Sequence, residues 1–499
     1  MRERVSKYRL GAFLFFALVG LILGAMSFFL PSGLFKIMLL VVLSCIILVH
    51  LMQKGIFYLI TLAIFFSMTL PKAGFEFNDI PFTIGNVLLA ASFVLWVIKL
   101  TKEHVMTGLI RLKKTVIDKP FMLYVVMALI SVFISLYFNA NPYNIIFEAI
   151  IFLGYAFVFY LIVNNIKDEK QIRLVFLLLT ASAFLVSIYG IMQYFIDPKK
   201  ISIPFLTYPA DHPSLYLFLD RNRRIFSTFV NPNLLGNYLV MFMFIPLGIF
   251  LNEKRDSRYI YLILFAITMY CLFLTGSRGA LIGFIAGMFV LFLTDGFNIK
   301  RVFKYLFVVL VLVSLALIIS PRIIEFNTNT FSDFSMGVRV QNYKRIFETI
   351  EEYPFGMGLG TSSGIDYLSE IQIIEVGPGM IWQTGVHSLY GSIIIKMGIF
   401  GLLFFLWIMR KVYSSFFAGL EPLERREGRF SFLRGCLIGA IAGLSANLIH
   451  SFMEFAWVFP HLAEDFWILV GCIVALSNII IKESSKSGRN KKRGHLIDK

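Results

Sequence analysis

Charge is scarce in this chain: 15% of residues are charged, whereas soluble globular domains average about 25%. That shortage excludes a soluble domain. It also excludes a disordered chain, which needs high charge and low hydrophobicity. Cysteine is scarcer still, with four in 499 residues. Cys45, Cys271, Cys436 and Cys472 all lie in apolar runs without C-x-x-C spacing, so they read as small hydrophobes rather than staples or metal ligands. There is no H-E-x-x-H, no G-x-x-x-x-G-K-[ST] and no G-x-G-x-x-G. Histidine, aspartate and glutamate do not gather at ligand spacing, so neither a metal nor a cofactor is expected. No solenoid-period repeat occurs, and the basic tail KSGRNKKRGHLIDK is the single biased segment.

Apolar residues make up 58% of the chain. At about 20 residues per bilayer crossing, that stock covers about fourteen helices. Spanning runs lie near 10–30, 34–52, 55–70, 82–99, 120–138, 144–163, 173–196, 232–251, 259–275, 279–294, 301–320, 387–409, 432–453 and 462–481. Three of them, 55–70, 259–275 and 279–294, are short, so twelve is the lower count. The runs are continuous rather than alternating, which indicates helices and not barrel strands. The first run is too long for a signal-peptide core and has no clear cleavage site, so it counts as a span.

The net charge of +16 does not point to nucleic acid, because the basic residues sit between apolar runs, where they set orientation. With a cytoplasmic amino terminus, the inner segments hold 33 of the 46 Lys and Arg and 13 of the 30 acids. That asymmetry predicts an even number of spans with both termini cytoplasmic. Two outer segments are long, about 197–231 and about 321–386. The second includes RVQNYKRIFETIEEY, where Val340, Tyr343, Ile346, Phe347 and Ile350 recur at helical spacing, followed by PFGMGLG.

On this topology four polar residues fall outside near span ends: Arg224 before IFSTFVNPN, Arg278 in TGSRGA, Arg339 at the head of the outer helix, and His387 in GVHSLY. Two readings stay open for such arginines. They can snorkel to lipid phosphate, or they can bind an anion, for which a guanidinium fork matches diphosphate oxygens. His387 reads as an interfacial histidine or as a proton acceptor near neutral pKa. Glu148, His450, Glu454 and His461 also lie at outer helix ends, and His450 and Glu454 suit an ordinary i, i+4 ion pair. Apart from Glu148 and Lys396 near span ends, the span interiors read as bare of charge.

The motifs RIFSTFVNPNLLGNYL, LTGSRGALIGF, RVQNYKRIFETIEEYPFGMGLG and HSLYGSIIIKMGIFGLL, in that order, resemble the O-antigen ligase and polymerase family, which includes teichuronic-acid-type polymerases. The resemblance covers about 224–401. Arg224, Arg278 and Arg339 match the family's outer arginines and His387 its histidine. Ser388 replaces the usual Asn, Ser227 replaces a Gly, and Lys396 stands where an acid is common.

The resemblance implies an all-α polytopic membrane protein with about 12–14 transmembrane helices and a GT-C-like arrangement with a large extracytoplasmic loop. It implies three regions: 1–223 with N-terminal spans and the first outer loop, 224–453 as the ligase-like core including the 321–386 loop, and 454–499 as the last span and basic tail. The implied activity is inverting, metal-independent glycosyl transfer from a polyprenyl (undecaprenyl) diphosphate donor at the outer face of a bacterial cytoplasmic membrane. Arg224, Arg278 and Arg339 would bind the donor diphosphate, and Arg278 and His387 would be catalytic. Expected partners are the lipid-linked donor, a glycan, lipid or wall-polymer acceptor, membrane lipids and a polysaccharide-assembly complex, but no nucleic acid. The alternative is a flippase or other transporter of lipid-linked oligosaccharide, a class expected to carry charge deep in its spans.

Overall fold

The computed structural model describes residues 55–71, 74–77, 80–110, 112–138, 140–196, 198–201, 224–294, 343–344, 346–360, 374–377, 380–382, 386, 388–424 and 431–497. Residues 1–59 and 60–499 form separate compact units. The expected spans near 10–30, 34–52 and 301–320 fall outside the described residues, as do Arg339 and His387.

The described elements run as follows. Helix α1 (Ile56–Thr69) precedes a short antiparallel hairpin of β1 (Gly74–Phe77) and β2 (Ile80–Thr83). Then come α2 (Ile84–Thr107), α3 (Asp118–Tyr137), and α4 (Pro142–Ala149), which passes through a π turn (Ile150–Gly154) into α5 (Ala156–Asn165). Helices α6 (Glu169–Phe195), α7 (Pro232–Phe242), α8 (Phe244–Asn252), α9 (Arg258–Thr275) and α10 (Arg278–Thr294) follow. A second hairpin pairs β3 (Ile374–Gly377) with β4 (Met380–Trp382). The chain ends in α11 (Leu389–Glu424), α12 (Ser431–His450) and α13 (Pro460–Ile497). The two hairpins amend the all-α expectation; both lie between apolar runs, where the backbone is not bound to be helical.

Nine helices among the described residues are long and apolar enough to cross a bilayer, and α1 and α10 are apolar but shorter. These eleven coincide with eleven of the fourteen expected runs. The protein is therefore a multi-pass α-helical membrane protein. The continuous α7–α8 segment, α12 and α13 are nearly enclosed by other helices, whereas α2 turns mostly outward. Its Val94, Val97 and Ile98 are exposed, as befits side chains that meet acyl chains.

Close backbone approach builds the centre. A Cβ on Gly435 would lie 2.6 Å from Gly248 O, one on Gly439 2.7 Å from Ile245 Cα, and one on Gly443 2.9 Å from Met241 C. These glycines recur every four residues, so one face of α12 is flat and α7–α8 lies on it, the small-residue packing by which membrane helices associate. The run 232–251 is interrupted at Met243, between α7 and α8. Pro246 has no N–H to donate to the carbonyl four residues back, so one helical bond is missing there, while Met243 itself keeps helical dihedrals, φ −64° and ψ −24°.

The PFGMGLG segment is locked onto the bundle through a second break. Gly398 in α11 has φ 68°, ψ −174°, which frees the carbonyls before it. Met357 N donates to Ile395 O at 2.7 Å and Gly358 N to Lys396 O at 3.1 Å. Ile399 N donates to Pro354 O at 3.1 Å. The PFGMGLG loop thus replaces the missing helical bonds, and its Gly356, Gly358 and Gly360 all have positive φ. Glycine is required there: at Gly358 a Cβ would sit 2.7 Å from Ser135 Cα. Ahead of the loop, residues 346–352 are helical, and Ile346 packs with Met357, Ile394 and Ile395. Phe347, expected on the same face, is exposed instead, because it stands about 100° around the helix from Ile346.

Beneath the loop, the Lys396 ammonium pairs with the Glu148 carboxylate, and Gly360 N donates to the other Glu148 oxygen at 2.6 Å. Ser131 Oγ donates to Lys396 O at 2.6 Å. Lys396, one of the family departures, is therefore a buried structural cation. On the opposite side of the helices, Lys113 caps α5 by donating through Nζ to Val163 O at 2.6 Å and Ile166 O at 3.0 Å. Burial, with Lys482 and Lys167 nearby, holds that ammonium below the ordinary lysine pKa.

Removing one partner of the Glu148–Lys396 pair leaves a buried charge uncompensated. Glu148→Gln is expected to destabilise the protein by about 3–5 kcal/mol, and Glu148→Gln/Lys396→Met to recover most of that loss. Thermal unfolding in detergent checks both; equal melting of the single variant and the wild type contradicts the lock.

Candidate functional site

Each motif has a local structural reason. In TGSRGA, α9 ends at Thr275 and Gly276 takes the left-handed conformation, φ 59°. Ser277 caps α10, its Oγ accepting from Ala280 N at 3.4 Å and its carbonyl from Leu281 N at 3.1 Å. Arg278 is thereby the first residue of α10, and its side chain is exposed. Gly279 faces His450: a Cβ there would lie 2.8 Å from His450 Cδ2 and 3.1 Å from Nε2.

Arg224 is brought to the same turn. Its Nε donates to Thr275 O at 2.8 Å, and its Nη2 donates to Asn233 Oδ1 at 2.9 Å. The next residue continues the cap, with Ile225 N donating to Leu274 O at 3.2 Å. Arg224 and Ile225 thus satisfy carbonyls left open at the end of α9, where a cation is also favoured by the helix dipole.

The asparagines of NPNLLGN carry the wiring. Asn231 caps α7, accepting from Asn233 N at 2.7 Å, and Pro232 fills the first helical turn. Asn233 links Arg224 to Glu454, donating to Glu454 Oε2 at 3.0 Å. One turn on, Asn237 donates through Nδ2 to His450 Nδ1 at 2.8 Å and accepts from Asn447 Nδ2 at 2.8 Å. Helix α12 ends at His450, so Glu454 follows in a turn and the two do not share a helix face as an i, i+4 pair would. Glu454, Asn233, Asn237 and Asn447 were missed as site residues. The N-P-N-x-x-x-N spacing, which places Asn233 and Asn237 on one face, was the available signal.

The family departures have local explanations too. Ser227 is the described non-glycine residue with positive φ, 52°, which accounts for a glycine at that place in the family. It is held by Gln193, whose Oε1 accepts from Ser227 N at 2.7 Å and whose Nε2 donates to Ser227 O at 2.9 Å. Ser388 Oγ accepts from Gly391 N at 3.3 Å, the helix-capping bond that an Asn would also make. The start of α11 lies against the end of α12: Leu389 N donates to Ser451 O at 2.9 Å, and Tyr390 OH to Leu448 O at 2.8 Å. Tyr343 OH donates to Phe452 O and lies 3.3 Å from Ser388 Oγ. Of the four residues singled out from sequence, Arg224 and Arg278 are brought together; His387 and Arg339 lie outside the described residues.

Glu148 and Lys396 are not the only charged residues near span ends: Glu464 and Asp465 lie in the second turn of α13 and are fully buried, with the Ser67 hydroxyl beside the Glu464 carboxyl. They fall in the first turns of the run 462–481, so an apolar average over that run hides them.

Arg224 and Arg278 thus meet at one helix-end turn of a membrane helix bundle. Residues 262–406 match the family model described as O-antigen ligase. That match supports assignment to the O-antigen ligase/polymerase family, with a membrane role in polysaccharide assembly. No curated protein matches the chain.

Arg224 makes two directed bonds that a lysine cannot reproduce. Arg224→Lys is expected to lower glycan output about tenfold or more at equal protein level, close to Arg224→Ala. Polymer analysis by gel checks it; wild-type output from Arg224→Lys shows that charge alone suffices.

Proposed function

We propose that the protein is a glycosyltransferase that polymerises or ligates glycan from a polyprenyl (undecaprenyl) diphosphate donor at the outer face of a bacterial cytoplasmic membrane, with both termini cytoplasmic. The observation that carries this reading is the placing of Arg224, 54 positions before Arg278, on the turn that leads into Arg278. The match over 262–406 supports it.

Arg278 opens α10, where its charge opposes the helix dipole at a cost of about 0.3–1 kcal/mol. An anion between the two arginines removes that conflict and gains the helix N–H groups. The approach is lateral. Arg278 heads a face of α10 formed by Ile282, Ile285, Phe289 and Leu293, spaced three or four residues apart and all exposed. A polyprenyl tail lies along such a face while its diphosphate meets the arginine.

In the reaction, the acceptor hydroxyl attacks the anomeric carbon as the bond to the diphosphate oxygen breaks, which inverts that centre. Arg224 and Arg278 stabilise the charge that grows on the leaving diphosphate; donors placed this way supply several kcal/mol. The diphosphate is already a good leaving group, so no metal is required. His387 takes the acceptor proton, a contribution of about 10²–10⁴-fold. Arg339 acts on the donor phosphate or in closing the outer loop. The acceptor is a growing glycan, a lipid or a wall polymer.

A second reading, export of lipid-linked oligosaccharide, draws on the buried Glu464 and Asp465. Arg278→Ala and His387→Ala are each expected to abolish long polymer at normal protein level while leaving repeat units on the carrier at the outer face. Repeat units trapped at the inner face favour the transporter, and normal polymer contradicts the enzyme. Cysteine labelling in intact cells at position 366 tests the orientation; labelling only after lysis places that segment inside and ends the proposal.

A further inference from the structure

His450 has been assigned no part in the reading above, yet it stands between the two arginine-bearing segments. It is the last residue of α12 and is 1% exposed. Its surroundings fix the ring. Asn447 Nδ2 donates to Asn237 Oδ1, so the Asn237 amide nitrogen is the atom turned to the imidazole, and it donates to Nδ1. With the Asn237 amide nitrogen as donor, Nδ1 accepts and carries no proton, which puts the proton of a neutral imidazole on Nε2. The Cδ2–Nε2 edge packs against Gly279, at the separations given above, beside Arg278. Gly283, one turn along α10, continues the contact: a Cβ there would lie 3.4 Å from His450 Cβ.

The first turn of α10 therefore rests on the imidazole, and the imidazole is held by a side-chain relay from α7 and α12. Helix α7 serves both arginines at once. Asn233 grips Arg224 and Glu454, and Asn237, one turn away, grips His450. We propose that His450 is a positioning residue of the arginine site: a neutral imidazole, locked as the Nε2–H tautomer by Asn447 and Asn237, that sets where α10 holds Arg278 relative to Arg224. This rests on the reading of the site as a diphosphate-binding cleft. A proton on Nδ1 would face the Asn237 N–H and break the relay.

The experiment uses the full-length protein in lipid nanodiscs, with farnesyl diphosphate as probe, and measures dissociation constants and melting temperatures. His450→Leu is expected to weaken binding about tenfold. His450→Gln keeps an acceptor for Asn237 and a donor toward α10, and is expected to stay within about threefold of wild type. Asn237→Asp, nearly the same shape, forces a proton onto Nδ1 and is expected to behave like His450→Leu; it carries the test if His450→Leu fails to fold. Arg278→Ala reports on the diphosphate reading itself. If Arg278→Ala loses binding while His450→Leu and Asn237→Asp bind like wild type, the positioning role is wrong and the donor site stands. His450→Gln as weak as His450→Leu also overturns it. A wild-type protein without affinity for farnesyl diphosphate overturns both.

Discussion

A peptide carbonyl released from its helix inside a bilayer finds no water, so the protein itself must supply a donor. That constraint shapes the described bundle. Where α11 breaks at Gly398, the freed carbonyls of Ile395 and Lys396 are taken by the backbone of the glycine loop. Where α9 ends, the carbonyls of Thr275 and Leu274 are taken by Arg224 and Ile225. Both events happen at the ends of apolar helices, and both tie together segments far apart in the chain. The first fastens the PFGMGLG loop to α11, and the second brings Arg224 to the turn before Arg278. The same requirement thus builds the scaffold and the site.

Because Arg224 caps a helix, its position does not depend on a ligand. Its guanidinium is oriented by a backbone carbonyl and by Asn233, which is itself set by Glu454. Arg278 is placed with similar firmness by the capped start of α10 and by the contact of Gly279 with His450. Preorganised charge of this kind needs no rearrangement as a diphosphate departs, which is the condition for electrostatic stabilisation of a leaving group. Glu454, joined to Arg224 through Asn233, keeps an acid near that arginine and moderates the local charge.

Much of this was legible in the sequence, for definable reasons. Continuous apolar runs gave the helices, since each span must satisfy its own backbone. The caps by Ser277 and Asn231 are explained by the local chemistry of S-R-G and N-P-N once the helix starts are known. That Arg224 bonds to the turn leading into Arg278 is visible only in the folded chain. Three further features were not legible. The pairing of Lys396 with Glu148 joins positions 248 apart, which no local pattern encodes. Glu464 and Asp465 disappear in an average over an apolar run. His450 and Glu454 looked like an i, i+4 pair because nothing in the sequence marks the end of α12 at His450.

The shortness of the motifs follows from the chemistry. Displacing a diphosphate from an anomeric carbon asks little covalent work of a protein: charge fixed on the departing oxygens and one group to take a proton. On the proposed reading, the first demand falls to two arginines and their supports at the ends of α7, α9, α10 and α12. Each support is a single asparagine, serine or glycine chosen for a cap, a bond or a close approach. Ser227 and Ser388 illustrate the tolerance that results. One adopts the glycine-like conformation with Gln193 holding both its amide and its carbonyl, and the other makes the cap bond open to asparagine. Residue identity drifts wherever a second side chain can satisfy the same backbone group, whereas Arg224, with a carbonyl and an amide to reach at once, has no such substitute.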